Sequence, residues 1–133
     1  SRIHVINLED FSVSYIPIGS NPRAIVLSPD NSMMYVTMNL SGKVASWDLV
    51  NNKAGKSVKT GKAARSLSIS SDSTALFVVN FVSDTVSKVR TSDMKVLQNI
   101  KVCNEPIGIT YDSPTSRTWV ACYGGSVKIF DNK

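Results

Sequence analysis

The sequence is poor in the residues that most often carry out chemistry. Its 133 residues include one histidine, His4, and two cysteines, Cys103 and Cys122. His4 lies near no group of Cys, Asp or Glu at metal-ligand spacing, which argues for a surface or edge role and against metal ligation. A single histidine, with no nucleophile and acid placed around it by motif, does not indicate a Ser-His-Asp or Cys-His set. We therefore predict no catalytic residue, no metal and no cofactor.

Long apolar runs are also missing. No stretch approaches the roughly 18 apolar residues that a membrane span needs. Ser1 and Arg2 lead directly into strand-like sequence, without the pattern of a signal peptide. The hydrophobic share of 42% and the length of 133 residues suit one globular domain with a core of its own.

The charge is positive but not concentrated. A formal net charge of +5 favours attraction to anionic partners or surfaces. The lysines are scattered, no basic run occurs, and aromatic residues do not alternate with them as in single-stranded nucleic-acid binding sites. We therefore expect anionic ligands and no nucleic acid.

Two cysteines are too few for a disulfide framework. Cys103 and Cys122 lie near the same end of the third blade inferred below, so that a bridge between them is an alternative. We favour two free or buried thiols.

The stretch 21–38 is the unit around which the chain is organised. Pro22 fixes its own backbone and biases Asn21 toward extended geometry, so that a strand begins just after it. Residues 24–28 are largely apolar on both faces, which is typical of a strand buried on two sides. The segment 28–32 has turn chemistry, and 33–38 is a second apolar run.

This hairpin recurs at an interval of 42 residues. Gly19, Gly61 and Cys103 correspond to one another, as do the second strands 35–38, 77–80 and 119–122. Four short strands per interval are the signature of a β-propeller blade, which cannot bury both of its faces without neighbours. The sequence thus predicts an all-β fold of four-stranded antiparallel blades.

We expect a single partial propeller domain over 1–133, with about three blades. It divides into a half blade at 1–18, two blades at 19–60 and 61–102, and a three-strand blade at 103–133. Closed propellers have about four to eight blades. The unpaired edges therefore predict either a piece of a longer propeller, which we favour, or several copies that complete a ring.

At these residues the chain resembles the YVTN β-propeller family, the propeller type of surface-layer proteins. Tyr35-Val36-Thr37 and Phe77-Val78-Val79-Asn80 match the motif that names the family, and Ser28-Pro29-Asp30-Asn31 matches its turn. The chain departs from the pattern at Met38 and Cys122, where Asn is usual. The resemblance implies an extracellular, cell-surface or periplasmic location and is nearly silent on activity.

Candidate ligand-binding residues follow from the loops that usually bear ligands in propellers. Arg23 and Arg65 share the repeat position at the start of the innermost strand, with Lys62 nearby, and we expect them to converge at one mouth of the channel. Guanidinium groups there suit a carboxylate, a phosphate or an acidic glycan. The alternative is that both arginines are repeat residues paired to a neighbouring loop. Phe81 and Tyr123 share a second position and predict either an aromatic rim for sugar or protein contacts or packing between blades.

These features favour a non-catalytic binding or scaffold module that engages a protein, glycan or anionic ligand. A fragment of a propeller enzyme is the alternative, because lactonases and lyases of similar architecture take their channel residues from several blades. A self-assembling unit, with a second copy as partner, is a third. Fold alone does not decide among them.

Overall fold

The structure, a computed structural model, describes residues 1–132, and only the last residue of the predicted third-blade range lies outside it. These residues form antiparallel strands and no helix. The strands are β1 Arg2–Ile6, β2 Val13–Pro17, β3 Pro22–Leu27, β4 Met33–Met38, β5 Lys43–Asp48, β6 Lys53–Lys59, β7 Ala64–Ile69, β8 Ala75–Asn80, β9 Thr85–Arg90, β10 Lys95–Lys101, β11 Pro106–Asp112, β12 Arg117–Cys122 and β13 Ser126–Asp131.

The strands are arranged as successive blades. β1 and β2 form a two-stranded sheet, β3 to β6 and β7 to β10 form four-stranded sheets, and β11 to β13 form a three-stranded sheet. Within each sheet the strands follow chain order, as a meander does. The predicted all-β class and its four-stranded antiparallel blades are confirmed. The exact domain limits stay a prediction.

Strand register gives the arc two distinct faces. Lys43 pairs with both Met38 and Lys59, and Thr85 pairs with both Asn80 and Lys101, so that these residues lie at one end of their sheets. We call this end, with the loops 18–21, 39–42, 60–63, 81–84, 102–105 and 123–125, the upper face. The opposite end, with the turns 7–12, 28–32, 49–52, 70–74, 91–94 and 113–116, is the lower face.

Two turns of the lower face, 28–32 and 70–74, are each held by a serine and an aspartate. The Ser28 hydroxyl donates to Asp30 Oδ1 at 2.6 Å and accepts from Met33 N at 2.9 Å. Hydrogen bonds from Ser28, and then from the backbone and side chain of Ser32, lower the pKa of Asp30 to about 2. Ser70, Asp72 and Thr74 repeat this turn in the next blade, and the pKa of Asp72 is lowered for the same reason.

The core consists of apolar layers between neighbouring sheets. Ile16 of β2 packs with Met34 and Trp47, so that Trp47 lies between the first two sheets. Tyr35 and Leu76 belong to the next layer. The last layer lies between β7–β10 and β11–β13, where Phe77 stacks on Tyr111 with ring centroids 5.8 Å apart.

The prediction that the first innermost strand is buried on both faces is wrong. Ile25 and Leu27 of β3 remain 47% and 45% exposed. They pair in register with Val36 and Met34, whose layer faces the two-stranded sheet. That sheet supplies no strand opposite β3, because β1 and β2 correspond to the two outer strands of a blade.

The expectation of two free or buried thiols is also wrong, because Cys103 and Cys122 form a disulfide with Cα atoms 6.2 Å apart. Cys103 lies in the loop before β11 and Cys122 ends β12, so that the fold brings both to the upper face. The blade geometry that allows the bridge is a tertiary feature, which cysteine spacing alone does not reveal. In residues 1–132 no helix is long and apolar enough to span a bilayer.

Candidate functional site

The innermost strands bring the two predicted arginines together. Arg23 of β3, Arg65 of β7 and Ile107 of β11 share one repeat position, and all three line an open cleft of about 360 Å³. Ala24, Ser66, Gly108 and Ala121 complete its lining. Arg23 is exposed and Arg65 is half-buried. Arg23 and Arg65 therefore line one cleft, and their role in ligand binding stays a prediction.

Thr37 fixes the spacing of the strands that carry these arginines. Its hydroxyl is fully buried, accepts a hydrogen bond from Ala24 N at 3.0 Å and donates to Arg65 O at 2.7 Å. Asn39 Nδ2 adds a bond of 3.1 Å to Ala64 O. The hydrogen bonds to Arg65 O and Ala64 O cross from one blade to the next, whereas the bond from Ala24 N stays within the first blade. Thr37 therefore contacts the backbone of both strands that carry the arginines.

Phe81 supports the Arg65 side chain. The Arg65 guanidinium carbon lies 4.9 Å from the centroid of the Phe81 ring. A guanidinium over an aromatic face gains a cation–π attraction of about 0.5–1 kcal/mol when exposed to solvent. Phe81 therefore orients Arg65 at the cleft, and Arg65 covers one face of its ring.

Lys62 and Tyr123 lie on the upper face but not among the residues that line the cleft. Lys62 is exposed in the loop before β7, and its backbone N donates to Ser83 Oγ at 2.8 Å. Tyr123 is 72% exposed, and its backbone N donates to Glu105 O at 2.9 Å. Of the two aromatic residues that share a repeat position, only Tyr123 presents a free ring.

The disulfide occupies a repeat position that the central blade fills with an amide. A methyl group on Gly61 would lie 2.6 Å from Asn80 Cγ, and Gly61 and Asn80 correspond in the repeat to Cys103 and Cys122. The fully buried Asn80 accepts from Thr60 Oγ1 at 2.9 Å and donates to Ser87 Oγ at 2.9 Å. A polar network in one blade and a covalent bond in the next thus hold the same corner of the upper face.

Neither arginine of the cleft is neutralised. The ion pairs within residues 1–132 are Arg90 with Asp93 and Arg117 with Asp131, and both lie toward the lower face. Two carboxylates lie on the upper face, and one of them, Asp84, accepts the backbone N of Glu105 at 2.8 Å. The predicted alternative, in which the arginines are paired to a neighbouring loop, therefore lacks a carboxylate partner in the described structure.

His4 lies far from the cleft, on the two-stranded sheet. The His4 ring packs edge-on against the Tyr15 ring with centroids 4.8 Å apart. The Arg2 guanidinium carbon lies 3.9 Å from the centroid of the Tyr15 ring. No group of three or more His, Cys, Asp or Glu side chains among the residues described is placed to hold a metal ion.

Sequence reasoning missed Thr37 as a positioning residue. The signal was present in the threonine of Tyr35-Val36-Thr37, at a position where the following blades carry Val79 and Ala121. The stacking of Phe81 on Arg65 had no such signal, because it depends on how closely the loop after β8 approaches the start of β7.

No protein-family model matches the chain, and no curated protein sequence matches it. Among solved structures, hydrazine synthase from Kuenenia stuttgartiensis matches with a TM-score of 0.82 and 26% identity, over 84% of this chain and 33% of that one. A putative 6-phosphogluconolactonase from Bacteroides uniformis matches with a TM-score of 0.81 and 13% identity, over 99% and 44%.

A third match is to a domain described as a β-propeller. The β-propeller domain of Cps50 (Swd1) from Myceliophteria thermophila has a TM-score of 0.77 and 14% identity, over 88% of this chain and 38% of that one. The chain spans 33% to 44% of the length of these three solved chains. The chain is an arc of β-propeller blades, with two arginines converging where the innermost strands meet.

Proposed function

We propose that the chain is a binding module, and that the cleft between β3, β7 and β11 takes an anionic group of a glycan or protein ligand. The observation that carries this proposal is the pair Arg23 and Arg65, which line one cleft without a carboxylate partner. A bound carboxylate, sulfate or phosphate would supply the hydrogen-bond acceptors that the guanidinium forks lack.

The surroundings of the arginines favour recognition over catalysis. The cleft lining combines the guanidinium groups with Ser66 and with aliphatic or glycine positions. The Ser66 hydroxyl donates to Ile107 O at 2.6 Å, so that it is engaged in holding β7 to β11. Lys62 and Tyr123 stand at the edge of the same face, where an extended ligand would meet them.

We further propose that the module belongs to a YVTN-type propeller outside the cytoplasm. The motif residues 35–37 and 77–80 support the family assignment. The Cys103–Cys122 disulfide supports the location, because structural disulfides persist in oxidising compartments. Further blades, or a second copy of the chain, would complete the ring around the cleft.

The experiment is an NMR titration of the chain with inorganic phosphate and with oligogalacturonate, a glycan of repeating carboxylates. We expect shifts of the amides around Arg23 and Arg65, and a loss of binding in the double variant Arg23→Ala, Arg65→Ala. Each charge-assisted hydrogen bond contributes about 1.5–3 kcal/mol, so the double variant should bind at least tenfold more weakly.

The matched control is Arg90→Ala with Arg117→Ala, which removes two arginines that already have carboxylate partners. Affinity should be unchanged in the control. The cleft double variant should also keep its free energy of unfolding within about 1 kcal/mol, because neither arginine makes an ion pair and the contact of Arg65 with Phe81 contributes about 0.5–1 kcal/mol. A loss of several kcal/mol, with unchanged ligand affinity, would assign both arginines a structural role and overturn the proposal.

A further inference from the structure

The two faces of the arc carry opposite charge. The upper face bears the basic side chains Arg23, Lys43, Lys59, Lys62, Arg65 and Lys101, against the two carboxylates Asp84 and Glu105. The other eight carboxylates of the chain lie at the lower face, together with four basic side chains, Lys53, Arg90, Lys95 and Arg117, so that the lower face is net negative. Hydrogen bonds within the turns lower the pKa of Asp30, Asp48 and Asp72.

The strand register places like charges beside each other on the upper face. Lys43 of β5 and Lys59 of β6 are direct cross-strand partners, and both are exposed. A like-charged pair directly opposite is destabilising by a fraction of a kcal/mol. Neither lysine has a carboxylate within ion-pair distance in residues 1–132. The positive potential of this face is therefore unbalanced within the described structure.

Exposed apolar side chains project from the same face. Leu40 in the loop between β4 and β5 is 77% exposed, and Val82 in the loop between β8 and β9 is 60% exposed. These two residues are 42 positions apart and hold the same repeat position. Tyr123, in the corresponding loop between β12 and β13, is 72% exposed.

Equivalent positions of a propeller are related by rotation about the ring axis, so they stand at the same height above the face. Leu40 and Val82 therefore reach one plane, from separate blades, with the lysines around them. The lower face also exposes apolar residues, among them Leu8 and Val50, but these stand beside Glu9, Asp10 and Asp48. Charge thus distinguishes two faces that both carry apolar loop residues.

We propose that the upper face docks peripherally onto an anionic lipid bilayer, with Leu40, Val82 and Tyr123 entering the headgroup boundary and the lysines meeting lipid phosphates. A planar partner can touch loops of all blades at once. Aliphatic side chains with a basic surround are the composition of surface-bound membrane segments. The acidic lower face is repelled by the same lipids, which fixes the orientation.

This inference goes beyond the proposed ligand site and does not require it. Leu40, Val82, Lys43 and Lys59 lie outside the residues that line the arginine cleft. Failure of phosphate binding at Arg23 and Arg65 would leave the docking surface intact, and failure of docking would leave the cleft intact.

The experiment is co-sedimentation of the chain with phosphatidylcholine vesicles prepared with and without phosphatidylglycerol. We expect binding that requires phosphatidylglycerol and weakens as salt is raised. Lys43→Gln and Lys59→Gln should each lower the partition coefficient about fivefold. The double variant Leu40→Ser, Val82→Ser should lower it about tenfold, because aliphatic area is removed from the headgroup boundary.

The matched control is Val50→Ser, which removes an exposed aliphatic side chain from the acidic face and should leave the partition coefficient unchanged. Equal loss in Val50→Ser and Val82→Ser would overturn the assignment of the face. Absence of binding to phosphatidylglycerol vesicles at low salt would overturn docking itself. Binding of soluble poly-glutamate without any binding to vesicles would also overturn docking, and it would indicate an acidic protein partner.

Discussion

The central blade, β7 to β10, and the terminal blade, β11 to β13, are built from the same repeat but differ in what covers them. Every residue of β8 is buried, because layers of apolar side chains lie on both sides of it. Along β12 buried and exposed residues alternate. Phe77 is 5% exposed in the central blade, whereas Trp119, at the same repeat position, is 39% exposed.

The difference shows that a neighbour, more than the strand sequence, decides burial in this fold. Trp119, Val127 and Ile129 are apolar residues of a kind normally found in a core, yet they are exposed on the outer side of the terminal blade. A blade placed against them would reproduce the layer that covers β8. The free-energy consequences of one substitution should therefore depend on the blade in which it is made.

The largest loss of stability is expected when the same substitution is made at equivalent positions of β8 and β12. Val79→Asp buries a charge at a fully buried position and should destabilise the chain by about 4 kcal/mol or more. Ala121→Asp places the same charge at the equivalent, exposed position of β12 and should cost less than about 1 kcal/mol. Urea unfolding measures both, and equal losses would contradict the comparison.

The corner of the upper face gives the second contrast. The double variant Cys103→Ser, Cys122→Ser removes a bridge across a separation of 19 residues, which the chain-entropy estimate values at about 3 kcal/mol. Asn80→Ala in the central blade removes the hydrogen bonds to Thr60 and Ser87 and should cost about 2 kcal/mol. A disulfide variant as stable as the parent would show that the bridge adds nothing to the terminal blade.

Thr37 is the third test, because its repeat position carries Val79 and Ala121 in the next two blades. Thr37→Val preserves side-chain shape but leaves Ala24 N and Arg65 O without their hydroxyl partner. We expect a loss of about 1–3 kcal/mol in urea unfolding, and weaker phosphate binding because the arginine strands are no longer held together. Thr37→Ser, which keeps the hydroxyl, is the control and should retain most of the affinity.

The smallest expected effect concerns the turns of the lower face. Folding lowers the pKa of Asp30 from about 4 in the unfolded chain to about 2. The ionised Asp30 therefore contributes fully to stability when the pH is above about 4. That contribution should be lost as the pH falls from about 4 to about 2. Asp30→Asn should therefore be less stable than the parent at neutral pH, with a difference that closes over this acid range. A constant difference in thermal unfolding would refute the turn assignment.

Much of the fold could be predicted from the sequence, because its interval of 42 residues is carried by turn residues and apolar runs that act locally. The convergence of Arg23 and Arg65 followed from the same interval. The disulfide did not, since it depends on how closely the loop before β11 approaches the end of β12. Nor did the exposure of Ile25, because it depends on which strands a neighbouring sheet contributes.

The separation of charge between the two faces could not be predicted from the linear sequence either. Lys43 and Lys59 are far apart in the chain and become neighbours only through strand register. Scattered lysines in the sequence therefore concealed a basic face in the structure.

Hydrogen exchange of the individual backbone amides tests most directly the claim that neighbouring blades determine stability. We expect the backbone amides of β8 to exchange only through global unfolding. Amides of β12 and β13, which lack a covering blade on one side, should exchange through local opening with a markedly lower free energy. Equal protection in β8 and β12 would contradict the account, because it would mean that a blade is stable without the neighbour that the exposed side chains require.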